Sequence, residues 1–233
     1  MSLNLLPTIK ASFQKYLTTG ARSNEKLKIL HAKIAADLAV LLGKGYVIRS
    51  LGYGEGRENV IQGRYIEKVV DITIENLREQ PVAGIAVKFV MSNYAQNSNN
   101  YFENMLGETA NIRCANIPYF QILIIPEEMP YYERDGTIKK AEIFSAHHVQ
   151  KYAKLSEDNP SAMFHTPDKT LLMVVALPKL DIKKVGDKAK YTKAYTGADV
   201  KLSNAIKGPF KSAVILNDYD AFMTKVAHRI KAV

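Results

Sequence analysis

The stretch VAGIAVKFVMS, residues 82–92, decides the fold of this chain. Its apolar residues predict a buried strand, yet Lys88 stands in the middle of it. A second charged residue, Asp71, interrupts the apolar stretch YIEKVVDITIE, residues 65–75, which also predicts a strand. Lysine and aspartate are rarely buried unless they are paired or bound to a ligand. The two charges therefore mark the part of the chain where a function is to be sought.

The two strands are close enough in sequence to form an antiparallel hairpin with a turn near Arg78 and Glu79. In that register Asp71 lies opposite Ala86, and the alternation of side chains places both on one face with Lys88. Diagonal neighbours are roughly 7–8 Å apart, which a lysine side chain can span. A shift of one residue would place the two charges on opposite faces. Two interpretations are open, an ion pair between strands or a site for a hard divalent cation.

The segments around the hairpin predict alternating helices and strands. Apolar residues at helical or strand spacing predict helices at 23–42, 100–115, 147–155 and within 219–233, and strands at 46–51, 65–75, 82–92, 117–125 and 169–177. We therefore expect an α/β fold with a central mixed β-sheet flanked by helices and the core order α-β-β-β-α-β. The predicted organisation is an N-terminal extension, a core domain and a basic C-terminal segment with a helix, over residues 1–22, 23–178 and 179–233.

Composition restricts the class of protein. The chain of 233 residues has one cysteine, Cys114, which excludes a disulfide framework and a cysteine-based zinc site. Its start, MSLNLLPTIK, lacks a signal-peptide pattern, and its apolar stretches are far shorter than the roughly 20 residues that span a bilayer. We expect a cytoplasmic protein with no membrane partner. The formal charge of +9 is consistent with a basic surface alone or with a polyanionic partner such as nucleic acid.

An aspartate on the second strand and a lysine on the third, within this element order, resemble the PD-(D/E)XK nuclease superfamily over residues 23–126. Type II restriction endonucleases are its best-known bacterial members. The resemblance implies a restriction endonuclease that uses Mg²⁺ and no organic cofactor to hydrolyse double-stranded DNA, and that acts as a homodimer. It also implies that Asp71 binds the metal, that Lys88 is the motif lysine, and that the carbonyl of Val87 is a further metal ligand.

The chain departs from the family motif at Ala86, where the motif has a glutamate or aspartate. Three explanations are open. The acid has moved to the following helix, where Glu103 is the favoured substitute and Glu108 the second; Ala86 is an engineered replacement of an original acid; or the fold serves as a DNA-binding module without catalysis. A nuclease that acts on branched or damaged DNA is a further alternative with the same fold.

The segment GYGEGREN, residues 52–59, precedes the strand that carries Asp71. Within it, Glu58 is a candidate auxiliary acid and Arg57 a candidate phosphate contact. The glycines are equally typical of a flexible loop, because the segment lacks the lysine of a phosphate-binding P-loop.

Two further segments predict contacts with DNA. Asparagine and glutamine amides can bind adenine edges, and this favours base contacts by three residues after the lysine strand, Asn93, Gln96 and Asn97. The same residue types also cap helices, and this is the role predicted for Asn99 or Asn100. The lysine-rich stretch 179–211, with interleaved tyrosines, predicts an arm that contacts phosphates through Lys190 and Lys193, or else a solvated connector.

Overall fold

The computed structural model describes residues 3–232. The helices are α1 (Leu6–Thr19), α2 (Glu25–Leu42), α3 (Tyr94–Arg113), α4 (Ala146–Ser156), α5 (Ile182–Val185), α6 (Lys188–Tyr195) and α7 (Tyr219–Lys231). The strands are β1 (Tyr46–Ser50), β2 (Asn59–Gln62), β3 (Glu67–Val70), β4 (Ile72–Asn76), β5 (Pro81–Phe89), β6 (Tyr119–Pro126), β7 (Glu128–Tyr132), β8 (Ile138–Ile143), β9 (Lys169–Ala176), β10 (Lys201–Leu202) and β11 (Val214–Leu216).

A seven-stranded sheet runs through the molecule in the order β1-β4-β5-β6-β9-β10, with β11 beside β9. Strands β1, β4 and β5 are antiparallel, whereas β5, β6 and β9 are parallel. Every residue of β6 is buried, as expected for a parallel strand covered on both faces. One hydrophobic cluster packs α1, α2 and α7 against one face, and another packs α3 and α4 against the other. The prediction of a mixed central sheet flanked by helices is confirmed.

The central hairpin has the predicted register. Ile72 pairs with Ile85 and Ile74 with Ala83, and a bulge follows Ile74. The single strand predicted at 65–75 is wrong, because β3 ends at Val70 and pairs with β2 in a separate small sheet. The reason is local, because the backbone N–H of Val87 donates to Oδ2 of Asp71 at 2.6 Å. This N–H of β5 is therefore bonded to a side chain and not to the backbone of the neighbouring strand. Asp71 therefore ends the pairing with β5 and lets the chain leave the sheet.

Helix α3 begins at Tyr94, six residues before the predicted start, so the asparagine-rich stretch forms its first turns. Asn93 precedes it in the left-handed conformation, with a φ of 53°. Its side-chain amide donates to the carbonyl of Tyr132 and accepts from the N–H of the same residue, at 2.9 and 3.0 Å. These two bonds fix the entry to the helix and replace the predicted capping by later asparagines.

One hydrophobic cluster includes residues from all three predicted segments, among them Ile9, Leu30 and Phe222. Tyr191 and Tyr195, in the lysine-rich segment, are both buried in it. The division of the chain at residues 22 and 178 stays a prediction. Within residues 3–232, no helix is long and apolar enough to cross a membrane.

Candidate metal centre

Three side chains from separate elements meet beside the central hairpin. His31 lies on α2, Glu58 in the loop before β2, and Asp71 between β3 and β4. One ligand atom from each lies within 4.8 Å of the others, and His31 Nδ1 is 3.8 Å from Glu58 Oε1. An imidazole nitrogen and two carboxylates are donors that divalent cations bind in proteins. The geometry thus combines two acids that the sequence singled out with a histidine that it did not.

His31 is the most unusual member of this cluster. Its side chain is 0% exposed, and neither ring nitrogen has a hydrogen-bond partner among the described residues. Burial lowers the pKa of His31, the Asp71 carboxylate opposes this, and Lys88 adds to the lowering. The imidazole is therefore neutral near pH 7, which is the protonation state that binds a metal. Because a buried unsatisfied polar group costs about 1–3 kcal/mol, the position is unfavourable unless something binds there.

The two carboxylates are half-buried and lie beside each other. Burial raises the pKa of Glu58, and the nearby Asp71 raises it further. Asp71 is held by its bond from the N–H of Val87, the residue that precedes Lys88. The same bond brings the Val87 main chain, predicted to supply a carbonyl ligand, against the carboxylate. A cation between the two acids would relieve their repulsion.

Lys88 is half-buried and lines an open cleft of about 460 Å³ together with Glu103 and Glu108. Glu103, the favoured substitute for the motif acid, is exposed and is not one of the three clustered ligands. Glu108 accepts a hydrogen bond from the Tyr119 hydroxyl and pairs with Lys68 at 3.0 Å. The structure therefore brings Lys88 and Glu103 to one cleft, while Glu58 is the acid beside Asp71.

Ala86 has an apolar environment. It is 2% exposed and belongs to a small buried apolar cluster. The other buried members of this cluster are Ile61 of β2, Val70 of β3, Ile112 of α3 and Tyr119 of β6. The position that carries an acid in the family motif is thus packed as core in this chain.

The residues predicted to contact DNA are spread over several elements. Arg57 is exposed, pairs with Glu55 at 2.7 Å, and lines with Glu58 a second cleft of about 380 Å³. Gln96 is exposed and accepts a hydrogen bond from the Tyr131 hydroxyl, and Asn97 is half-buried. Lys190 and Lys193 are exposed on α6. Arg57 thus lies beside the candidate ligand Glu58, its neighbour in the chain, and the DNA contacts of all these residues stay predictions.

The sequence pattern of α2 contains one indication that His31 is buried. His31 lies between Leu30 and Ile34 in the apolar stripe of α2, so its polar ring is expected on the buried face of the helix. A histidine in such a stripe is more often a hydrogen-bonded core residue than a ligand. Only the fold reveals that two acids, 27 and 40 positions further along the chain, meet it.

Comparison of the chain with family models, curated proteins and solved structures finds no match. The functional assignment therefore depends on the geometry of the cluster and on the chemistry of its residues.

Proposed function

We propose that this protein is a metal-dependent endonuclease that hydrolyses phosphodiester bonds in DNA. The observation that carries the proposal is the meeting of His31, Glu58 and Asp71 within 4.8 Å. The histidine is buried, and its ring nitrogens have no hydrogen-bond partner within residues 3–232. Lys88 is close enough to this cluster to lower the pKa of His31. A divalent cation site with a lysine beside it is suited to phosphoryl chemistry, in which negative charge develops on phosphate oxygens.

Element order and charge support the same proposal. When the β2–β3 hairpin is set aside, α2, β1, β4, β5, α3 and β6 follow each other as helix, three strands, helix and strand. This is the order that the resemblance to PD-(D/E)XK nucleases implies. The formal charge of +9 favours binding to a polyanion. Cleavage of a specific duplex site, a homodimer and a role in restriction remain parts of the proposal.

The donor set fits a divalent cation, which when bound would polarise the scissile phosphate and the attacking water. His31, Glu58 and Asp71 would hold it, and the bond from Val87 would keep the Asp71 carboxylate oriented. Lys88 would bind a non-bridging phosphate oxygen or the water. Water adds to phosphorus as the P–O3′ bond breaks, which gives 5′-phosphate and 3′-hydroxyl ends. Because imidazole suits transition metals better than Mg²⁺, we expect Mn²⁺ to bind more tightly than the Mg²⁺ implied by the resemblance.

The direct test is incubation of plasmid and phage DNA with the protein in Mg²⁺, in Mn²⁺ and in EDTA. Cleavage that depends on the added ion would support the proposal, and discrete bands would indicate a sequence-specific enzyme. An absence of cleavage with either ion on every DNA would overturn it and leave a binding module.

Lys88→Ala is expected to lower the rate of cleavage about 100-fold, because a group that positions the water or offsets phosphate charge is lost. The affinity for Mn²⁺, measured by calorimetry, should not fall, since Lys88 is not a ligand. Lys68→Ala is the matched control, because Lys68 lines the same cleft but pairs with Glu108. Equal rates for Lys88→Ala and the unaltered protein would remove Lys88 from the mechanism.

A second pair of variants separates the two candidate acids. Glu58→Gln is expected to weaken Mn²⁺ binding at least about 10-fold, because a charged ligand becomes neutral. Glu103→Gln should leave the Mn²⁺ dissociation constant unchanged, because Glu103 lies outside the three-ligand cluster. The reverse result, with Glu103→Gln as the damaging change, would establish the acid on α3 as the partner of Asp71.

A further inference from the structure

The β2–β3 hairpin exposes an unusual set of apolar side chains. Val60 and Val69, which pair directly, are 41% and 56% exposed, and the connecting tip carries Tyr65 at 77% and Ile66 at 64%. Exposed apolar side chains that are grouped on one element mark an interaction surface more often than isolated ones do. The tip, residues 64–66, is the most exposed part of this group.

Hydrogen bonds to Asn111 of α3 hold the tip in one conformation. Asn111 of α3, only 7% exposed, accepts from the N–H groups of Tyr65 and Ile66 at 2.9 and 3.2 Å. The side-chain amide nitrogen of Asn111 also donates to the backbone carbonyl of Ile66 at 2.8 Å. The backbone carbonyl of Asn111 accepts from the N–H of Arg64 at 2.8 Å. Gly63 allows this approach, because a Cβ there would lie 2.1 Å from the amide nitrogen of Asn111. A loop fixed by four hydrogen bonds presents its side chains with little ordering cost on binding.

The tip borders the cleft of the proposed active site. Ile66 lines the same cleft as Lys88 and Glu103, and Asn111 forms part of its wall. Arg64 is exposed at the tip and Lys68 follows it on β3. Of the acids nearby, Glu67 and Glu103 are exposed, whereas Glu108 is paired with Lys68. A polyanion whose phosphate reaches Lys88 would therefore pass beside the tip, where the Tyr65 side chain is exposed.

We propose that Tyr65, supported by Ile66, is a stacking platform for an unpaired base next to the scissile phosphate. This inference rests on the proposed nuclease function. It favours the alternative of a nuclease for branched or damaged DNA over a duplex restriction site, because the substrate would be a nucleic acid with a single-stranded segment or a splayed end. Paired bases inside a duplex have their ring faces covered by their neighbours, so an exposed aromatic ring gains most from an unpaired base. Cations at Arg64 and Lys88 would hold the phosphates on either side.

The test measures binding of fluorescently labelled DNA by anisotropy in EDTA, which prevents metal-dependent cleavage. The probes are a short single strand, a duplex with a splayed end, and a blunt duplex of the same sequence. We expect the unaltered protein to prefer the first two, and Tyr65→Ala to weaken binding of these two about 10- to 100-fold. Tyr65→Phe should retain most of the affinity, because the ring is kept. Leu77→Ala, which removes another exposed apolar side chain at 71% exposure, is the matched control and should change nothing.

Three results would overturn the inference: equal affinity for the blunt duplex, equal binding by Tyr65→Ala, or a tip that instead mediates self-association abolished by Tyr65→Ala in sedimentation velocity. The inference and the proposed function fail separately. Ion-dependent cleavage with no effect of Tyr65→Ala on binding would refute only the platform. Tyr65-dependent binding without cleavage in either ion would refute the nuclease and retain the platform as a binding site.

Discussion

Asp71→Asn is expected to lower the rate of ion-dependent DNA cleavage at least about 10³-fold and to abolish measurable Mn²⁺ binding at the centre. Asp71 is one of the three clustered candidate ligands and the one joined directly to β5, through Val87. Its replacement removes the charge that a cation needs, and a bound cation supplies several kcal/mol of transition-state stabilisation. The measurement is a single-turnover cleavage rate combined with calorimetric titration of Mn²⁺.

Asparagine is chosen because it is expected to leave the fold intact. A loss of activity would then be due to the missing carboxylate charge and not to unfolding. The amide oxygen of asparagine can still accept the N–H of Val87, and the thermal midpoint of the metal-free protein should change little. Asp199→Asn is the control, because Asp199 is 71% exposed and pairs with Lys10, away from the cluster. Cleavage at the unaltered rate by Asp71→Asn would show that the cluster is not the catalytic centre.

Much of the central hairpin could be predicted from sequence, for a physical reason. Side chains alternate along strands, so the apolar pattern of residues 82–92 and 65–75 permits few registers that bury both strands. That constraint yielded the observed pairing of Ile72 with Ile85. The same pattern could not show that the strand breaks at Asp71, because the break depends on a side-chain bond to Val87 across the hairpin.

The composition of the site was less accessible to sequence reasoning. Asp71 and Lys88 were found because charges within apolar strands are conspicuous. The sequence favours Glu103 and then Glu108 as the second acid and predicts only an auxiliary role for Glu58, since a loop glutamate gives no indication of where the loop folds. His31 was missed because its two partners lie in distant segments that only the fold brings together. Local patterns identify buried faces, whereas a binding site depends on contacts between elements far apart in the chain.

The burial of His31 has an energetic consequence that separates a binding role from a packing role. A core histidine normally forms hydrogen bonds through its ring nitrogens, and a packing position is better filled by leucine. His31 has no such bonds among residues 3–232, although its side chain is 0% exposed. We therefore expect the metal-free protein to be less stable than a variant with an apolar side chain of similar size at this position. A ligand bound to the ring nitrogens of His31 would offset this cost in stability.

His31→Leu is accordingly expected to change stability in opposite directions with and without metal. Without metal, the free energy of unfolding should rise by about 1–3 kcal/mol, because an unsatisfied buried ring is replaced by an apolar side chain. With Mn²⁺, the stabilisation seen in the unaltered protein should disappear, because the affinity falls about 100-fold or more when a ligand is lost. Urea denaturation of both proteins, in EDTA and in Mn²⁺, measures the two effects.

His147→Leu supplies the control for that experiment, since His147 is exposed on α4 and should alter neither quantity. The two halves of the prediction test different statements. A loss of stability in EDTA would mean that the ring of His31 forms favourable contacts of its own and belongs to the core. Unchanged stabilisation by Mn²⁺ would mean that the ion binds without the histidine, and the cluster would reduce to the two carboxylates. A rise in EDTA together with a loss in Mn²⁺ is the combination that only a metal ligand predicts.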